Sequence, residues 1–315
     1  MKSTPIKIVI AGASDFSLPT AKRLNDLDYQ IAAVLTQPDR AAGRGLKQTK
    51  NPVKRFAEKA ELTLLDFESL EGENVFETIK NLSPDLLISI AYGGLIPQKI
   101  LDIPRYESIN IHPSLLPLWR GASPIQSAIL NGDTKTGISL IRMTPELDAG
   151  PIFAVTETPI DPKENTLTLS NRLANMSAIL ITDKIEDIVN KNILPNEQQH
   201  QKATYAPKLT KKDAIINWTR PASEILNKIK AFNPWPIAHS ILEQKNFRIW
   251  EAKPSKQINY TSRPGSIIKT KSNEILVTTG DGMISLKSVQ LEGRKKMPAL
   301  DFFKGFAYEG KILGQ

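Results

Sequence analysis

The chain has 315 residues, of which 40% are hydrophobic and 23% are charged, a composition typical of a globular protein long enough for two domains. It contains no cysteine, which excludes disulfide bonds and thiolate metal sites and agrees with a reducing compartment such as the cytoplasm. No apolar run reaches the roughly 18 residues that a membrane-spanning helix needs, so no membrane span is expected.

The positive charge is concentrated in the last third of the chain. Residues 207–315 contain 19 Lys and Arg against 9 Asp and Glu, a net charge of +10. Residues 1–206 contain 22 against 24, a net charge of −2. This asymmetry indicates a polyanion-binding part attached to a nearly neutral one, although a solvated lysine-rich surface would have the same composition.

The first two hundred residues alternate between apolar runs typical of buried strands and stretches with helical spacing. This alternation predicts an α/β fold, a mostly parallel Rossmann-like sheet with helices on both faces. The loops after Ile10, after Ile90 and around Pro113 should then meet at the carboxyl edge of the sheet, where ligands bind. The predicted strands are Ile6–Ala11, Ile31–Leu35, Leu86–Ala91, Ser108–Ile111, Gly137–Met143 and Val155–Ile160, and the predicted helices are Leu18–Leu27, Pro52–Ala60, Val75–Leu82, Pro124–Leu130 and Leu167–Val189.

The remainder of the chain has a different pattern. A polar stretch is followed by one amphipathic helix, Pro221–Phe232, and then by short β-type runs separated by turn signals, a pattern typical of a small barrel. We therefore predict a first domain over residues 1–190, a linker over 191–206 and a basic domain over 207–315. The predicted strands of the last domain are Phe247–Trp250, Gly265–Ile268, Ile275–Thr279 and Ile284–Val289.

Common nucleotide and metal motifs are missing from the sequence. Gly12 follows the first predicted strand but does not begin a G-x-G-x-x-G pattern, and no G-x-x-x-x-G-K-[ST] loop is found, so NAD, FAD and ATP are not expected. The three histidines, His112, His200 and His239, are far apart and lack ligand spacing. We therefore expect no metal site.

Asn110 and His112 alternate with apolar residues, so both side chains should leave the same face of one strand. Asp148 follows His112 by 36 residues, across one predicted helix and one predicted strand, a separation typical of neighbouring strand ends in a βαβ unit. An amide donor, an imidazole and a carboxylate suit acyl transfer to an amine that the substrate itself brings. A structural Asn-x-His pair and a turn aspartate would give the same pattern.

The surrounding segments distinguish these interpretations. The sequence resembles the formyltransferases that use 10-formyltetrahydrofolate, and in particular those that act on methionyl-tRNA, over Ile6 to about Leu291. The segments that carry this resemblance are Asn110–Gln126, Leu147–Gly150, Thr36–Gly45 and Ala231–Pro236.

The resemblance implies that Asn110, His112 and Asp148 form the catalytic triad and that the last domain is OB-like. It implies transfer of a formyl group from 10-formyltetrahydrofolate, as co-substrate, to methionyl initiator tRNA, by a cytoplasmic enzyme that we expect to be a monomer. The folate-binding segment would be Ser114, Leu115, Leu116 and Pro117, and the tRNA would contact Arg40, Arg44 and Lys47 of the basic loop Pro38–Asn51, which the glycines predict to be mobile.

Two other hypotheses remain open from the sequence. A sugar-nucleotide formyltransferase or a formyltetrahydrofolate hydrolase would share the triad and the folate segment, but neither explains the charge of +10 on residues 207–315. A non-catalytic tRNA-binding protein on a decayed enzyme scaffold would explain the charge, but it would not require Asn110, His112 and Asp148 together.

Overall fold

The computed structural model describes residues 5–27, 29–42, 47–256, 262–307 and 310–314, and for residues 40–42 and 47–48 it describes the backbone alone. The chain divides into two compact units. The first unit consists of Met1–Gly121, Thr136–Thr158 and Ser170–Ala206, and the second consists of Ala122–Lys135, Pro159–Leu169 and Pro207–Gln315.

The elements that the alternating pattern predicts are present, with ends that differ by up to three residues. The pattern did not predict the short strands of two or three residues. In chain order, residues 1–206 form β1 (Lys7–Gly12), α1 (Leu18–Asp26), β2 (Gln30–Leu35), β3 (Arg40–Ala42), β4 (Lys47–Thr49), α2 (Pro52–Lys59), β5 (Leu64–Leu65), α3 (Glu73–Asn81), β6 (Leu86–Ile90), α4 (Gln98–Leu101), β7 (Glu107–His112), β8 (Arg120–Gly121), α5 (Pro124–Asn131), β9 (Lys135–Arg142), β10 (Ile152–Pro159), α6 (Thr166–Val189) and β11 (Tyr205–Ala206).

The main sheet of the first unit has the strand order β10-β9-β7-β6-β1-β2-β5. Four neighbouring pairs, from β5 to β7, are parallel. Adjacent residues of β2 pack on opposite faces: Val34 packs with Val53 and Ala57 of α2, whereas Leu35 lies in a cluster with Val75 of α3. The predicted mostly parallel sheet with helices on both faces is confirmed.

The strand β9 corrects one expectation. It pairs antiparallel with β7, in the register His112 with Ser139 and Ile109 with Arg142. The βαβ unit expected between His112 and Asp148 is therefore wrong, because a separation in sequence does not fix the direction of a strand. Asp148 returns toward His112 from the loop between β9 and β10.

The segment 191–206 also differs from its prediction. It belongs to the first unit and is not a free spacer. Asn196 forms a two-residue bridge with Ile152, and β11 pairs in parallel with β8. Its polar residues indicated a solvated linker, but Gln198 is buried and hydrogen-bonded within the first unit.

The second unit contains an antiparallel sheet with the order β12-β13-β16-β15-β14, and β17 pairs with β16. The register of β13 against β16 shifts near Glu251, and such bulges bend a strand. The result is an antiparallel half-barrel, which agrees with the predicted OB-like domain. Its elements are α7 (Ala222–Ala231), β12 (His239–Leu242), β13 (Lys245–Pro254), β14 (Ile267–Lys269), β15 (Ile275–Thr278), β16 (Met283–Leu291), β17 (Met297–Pro298) and α8 (Ala299–Lys304).

The mainly aliphatic core of the second unit contains a cluster of aromatic rings. Phe247 of β13 lies with its ring centroid 5.3 Å from that of Phe302, and Phe302 and Phe303 of α8 meet edge to face at 4.9 Å. All three rings are buried. Aromatic pairs in such arrangements are stabilised beyond the burial of their area, by about 0.5–1.5 kcal/mol each. α8 therefore belongs to the core of this unit although the sequence pattern did not predict it.

Candidate active site

The carboxyl ends of the central strands meet at one edge of the main sheet. Gly12 pairs with Ile90, and Ser89 pairs with Asn110, so the loops after β1, β6 and β7 leave from the same edge. The hydroxyl of Ser17 donates to the carbonyl oxygen of Ile90 at 2.6 Å and joins the first two of these loops. This is the edge at which α/β sheets bind ligands, as the sequence predicts.

The structure brings Asn110, His112 and Asp148 together at this edge. Asn110 Nδ2 donates to Asp148 Oδ1 at 3.1 Å. His112 Nδ1 lies 3.5 Å from Asp148 Oδ2. His112 and Asp148 are nearly buried, with 4% and 9% of their side chains exposed, whereas Asn110 is half-buried. One carboxylate therefore contacts both of the other polar side chains.

The backbone holds Asp148 in an unusual conformation. Its φ is +50°, in the left-handed region that few residues other than glycine adopt and that aspartate tolerates better than most. Asp148 Oδ2 accepts a hydrogen bond from Gly121 N at 2.8 Å, which fixes the carboxylate beside His112. A Cβ at Gly150 would lie 1.9 Å from the Arg142 carbonyl oxygen, so only glycine fits where this turn passes β9.

The second ring nitrogen of His112 faces the backbone. His112 Nε2 lies 2.9 Å from the carbonyl oxygen of Trp119. Because a carbonyl oxygen can only accept, Nε2 is the nitrogen that carries a proton in this arrangement. Nδ1 faces the Asp148 carboxylate, which is also an acceptor. Both ring nitrogens of His112 therefore face acceptors.

Several polar groups of the segment Ser114–Pro117 are hydrogen-bonded to neighbouring residues of the protein. The Ser114 hydroxyl donates to Leu118 O at 2.6 Å, and Ser139 Oγ accepts from Leu116 N at 3.2 Å and donates to Ser114 O at 2.8 Å. The side chain of Leu115 lies where a Cβ at Gly137 would meet it at 2.5 Å. Pro117 is half-buried. These contacts fix the shape of the segment, which offers mainly apolar surface from Leu115 and Pro117.

The loop after β6 lies at the same edge and has an exposed apolar residue. Ala91 and Gly93 both have positive φ, at +46° and +80°. Leu95 is 82% exposed, whereas Tyr92 is buried. Burial raises the pKa of the Tyr92 phenol above its ordinary value, so this side chain stays neutral. The loop can therefore supply apolar surface at this edge of the sheet.

The base of the basic loop Pro38–Asn51 forms a short two-stranded sheet, whereas the glycines from which its mobility is predicted lie outside the described residues. β3 and β4 pair antiparallel, with Arg40 opposite Thr49 and Ala42 opposite Lys47. Asn51 caps α2 by accepting from Lys54 N at 3.0 Å, and its amide donates to Thr36 Oγ1 at 2.9 Å. Of the residues predicted to contact tRNA, Arg44 and the side chains of Arg40 and Lys47 lie outside the described residues.

The second unit has an exposed basic turn after β16, formed by Arg294, Lys295 and Lys296. Lys296 Nζ lies 4.7 Å from the centre of the Trp250 ring, a cation–π contact. Lys228, in contrast, donates to the carbonyl oxygens of Asp213 and Ile215, each at 2.9 Å, and burial lowers its pKa. Some positive charges of this unit are therefore exposed, whereas at least one, that of Lys228, is hydrogen-bonded to the backbone.

The sequence did not single out two buried polar residues that support the backbone at Asp148. Arg120 and Gln198 are buried, with 4% and 5% exposed. Arg120 donates to Gln198, which in turn donates to the backbone carbonyl oxygen of Asp148. Arg120 stands inside the segment that carries the resemblance, but no local signal marks Gln198. Within the described parts of the chain, no group of three or more metal-ligating side chains lies together, and no helix is long and apolar enough to cross a membrane.

Comparison with known proteins gives the same family twice. Residues 6–185 match the model of the formyl transferase family, and residues 208–307 match that of the formyl transferase C-terminal domain. A methionyl-tRNA formyltransferase of Hydrogenovibrio crunogenus is 37% identical over 98% of this chain and 99% of its own length. The methionyl-tRNA formyltransferase of Hahella chejuensis is 39% identical over 99% of this chain and 97% of its own length. The crystal structure of WlaRD, a sugar 3N-formyl transferase, shares the fold with a TM-score of 0.66 at 19% identity, over 93% of this chain and all of that one.

Proposed function

The chain belongs to the formyl transferase family, and from this premise we propose how its residues transfer a formyl group from 10-formyltetrahydrofolate to methionyl initiator tRNA. Relatives at 37–39% identity over nearly the whole length are methionyl-tRNA formyltransferases. The sugar formyltransferase is 19% identical and shares the fold alone. The acceptor is therefore the α-amino group of methionine esterified to tRNA.

The observation that carries the chemistry is the contact of one carboxylate with both an amide and an imidazole. When the amine attacks the formyl carbon, the formyl oxygen becomes an oxyanion. Asn110 Nδ2 carries two hydrogens and gives one to Asp148 Oδ1, so the other can donate to this oxyanion. A donor that is already oriented stabilises the transition state without reorganisation.

His112 is proposed to supply positive charge and a proton. In its doubly protonated form the ring adds to the stabilisation of the oxyanion, and Nε2 carries the proton that the departing folate nitrogen needs. To deliver this proton, Nε2 breaks its hydrogen bond to the Trp119 carbonyl oxygen and forms one to the substrate nitrogen. The proton that the attacking amine loses restores the ring, so the protons balance over one turnover.

Asp148 is proposed to orient the other two side chains. Its Oδ1 accepts from Asn110 and its Oδ2 faces His112 and accepts from Gly121 N. A carboxylate in this position fixes the plane of the imidazole and compensates its charge. The remaining barrier falls because both substrates are held side by side, which makes the transfer effectively unimolecular.

The donor is proposed to lie along Ser114–Pro117 and the loop after β6. A folate brings flat rings that need apolar walls, and Leu115, Pro117 and Leu95 offer apolar surface there. The hydroxyl of Ser114 is bonded to Leu118 O, so its role is to fix the segment. The fit therefore rests on shape and apolar contact more than on the polar groups of this segment.

The tRNA is proposed to bind through the basic residues of 207–315 and through Arg40, Arg44 and Lys47 of the basic loop. The net charge of +10 and the exposed turn Arg294–Lys296 support phosphate contacts that do not depend on sequence. We also propose that residues 1–190, with the segment 191–206 packed against them, form the catalytic domain, and that 207–315 form the tRNA-binding domain of a monomer. The enzyme is proposed to act in the cytoplasm, where its tRNA substrate is used.

A formyl-transfer assay with parallel acceptors tests this function. The purified protein is mixed with 10-formyltetrahydrofolate and with methionyl initiator tRNA, elongator methionyl-tRNA or a UDP-amino-sugar. Formylation of the initiator tRNA alone is expected. Transfer to the sugar, or hydrolysis of the folate without an acceptor, would retain the triad but overturn the assignment of the acceptor.

A further inference from the structure

The groups that hold the triad are themselves held by residues 196–206, here called the strap. Trp119, whose carbonyl oxygen contacts His112, donates its backbone N–H to Thr204 Oγ1 at 2.9 Å. β8 contains Gly121, whose N–H contacts Asp148, and it pairs with β11 of the strap. The strap thus contacts the backbone on which His112 and Asp148 depend, although it contains none of the triad.

Gln198 is the strap residue that reaches Asp148 itself. Its Nε2 donates to the carbonyl oxygens of Asp148 at 2.8 Å and of Gly150 at 2.7 Å. Its Oε1 accepts from Arg120 Nε at 3.2 Å and from Arg120 Nη2 at 2.7 Å. Since the guanidinium can only donate and the carbonyl oxygens can only accept, the amide has one possible orientation. Both polar atoms of the Gln198 side chain are hydrogen-bonded, and the side chain is buried.

The two carbonyl oxygens that Gln198 binds flank the turn that presents the Asp148 carboxylate. Asp148 has a φ of +50°, a conformation that is sparsely populated even for aspartate and that neighbouring hydrogen bonds help to enforce. The bonds from Gln198 to residues 148 and 150 are such an enforcement. Removal of the Gln198 amide would leave the carbonyl oxygens of Asp148 and Gly150 without these hydrogen bonds, and the turn could then relax.

We propose that Gln198 and Thr204 are positioning residues of the formyl transfer reaction. Gln198 sets the Asp148 carboxylate, and Thr204 sets the Trp119 carbonyl that orients His112. This inference rests on the proposed roles of His112 and Asp148. The strap, whose polar composition is that of a linker, would thus position catalytic groups.

The test compares matched variants by steady-state kinetics. Gln198→Met keeps the volume and removes all polar atoms, whereas Gln198→Glu keeps the acceptor for Arg120 and removes the donor. Each is expected to lower kcat about tenfold to a hundredfold, the range typical of partners that orient a catalytic group, with KM for the folate changed less than about threefold. Gln199→Met, the same change at the exposed neighbouring glutamine, is the control and should keep the wild-type kcat.

Thr204 is tested by a pair of variants. Thr204→Val is nearly isosteric but cannot accept from Trp119 N, so kcat should fall, whereas Thr204→Ser keeps the hydroxyl and should restore most of it. A purely structural role would lower the melting temperature of both variants together with their activity. Wild-type kcat in Thr204→Val would overturn the role of Thr204.

A double-mutant cycle separates positioning from general damage. If Gln198 acts through Asp148, Gln198→Met should cost little further activity once Asp148→Asn is present, because the two residues act as a unit. Fully multiplicative losses, or a kcat above half of wild type in both Gln198 variants, would overturn the inference. Wild-type activity in Asp148→Asn alone would instead overturn the proposed role of Asp148. The strap would then have no catalytic carboxylate to position.

Discussion

Asn110 donates its side-chain amide to Asp148 at 3.1 Å, so the residue proposed to stabilise the oxyanion is oriented by the same carboxylate that faces His112. An amide held from one side presents its second N–H in a fixed direction. A single carboxylate thus prepares both the hydrogen-bond donor and the imidazole before the substrates bind, as preorganised electrostatic catalysis requires.

Replacing Asn110 by Asp should remove the oxyanion donor with almost no change in shape. The new carboxylate also faces Asp148 at hydrogen-bond distance, so we expect kcat to fall about a hundredfold to a thousandfold, the loss typical for one oxyanion donor. Stopped-time formylation of initiator tRNA measures the effect. Asn81→Asp, at an exposed helix end, is the matched control, and an equal loss there would contradict the assignment.

His112→Ala and Asp148→Ala should each lower the rate at least about a hundredfold, because each removes a group that acts on the reacting atoms or orients one that does. The affinity for tRNA should be nearly unchanged, since phosphate contacts provide most of it. Filter binding measures this affinity beside the kinetics. Activity above about a tenth of wild type in either variant would refute the proposed roles.

Binding of tRNA should weaken steeply with salt, because lysines and arginines that neutralise phosphates release counterions. The triple variant Arg294→Gln, Lys295→Gln, Lys296→Gln should reduce the slope of log K against log salt, by up to about 0.9 for each duplex phosphate that is no longer neutralised. A control triple variant at exposed Lys22, Lys59 and Lys80 of the first unit should leave the slope unchanged. A flat salt dependence of the wild type would contradict binding through phosphates.

Gly150→Ala should damage both stability and activity. A Cβ at this position would lie 1.9 Å from the Arg142 carbonyl oxygen, so the backbone beside Asp148 must move. Forced overpacking of this kind costs about 1–3 kcal/mol, measured by denaturant unfolding. Gly305→Ala, where nothing lies within 4 Å of the added Cβ, is the control. Wild-type kcat and stability in Gly150→Ala would show that the turn tolerates displacement.

Much of the first unit could be predicted because its signals are local. β6 is a run of five buried residues, and an apolar run of this length is the pattern of a parallel strand covered on both faces. Asn110 and His112 could be placed on the same strand from the alternation of β7. The short strands β8 and β11 could not be found, because two residues show no periodicity and their pairing joins Arg120 with Tyr205.

The sequence by itself determined the strand–helix alternation and the basic charge of residues 207–315, and it singled out Asn110, His112 and Asp148 as candidates, since each signal lies in neighbouring residues or in composition. Only the tertiary structure decided that β9 runs antiparallel to β7, that Asp148 returns from a loop, and that the strap holds it. Gln198 reaches Asp148 across 50 residues, and Thr204 reaches Trp119 across 85. Contacts at such separations depend on how the whole chain packs, and a local pattern does not encode them.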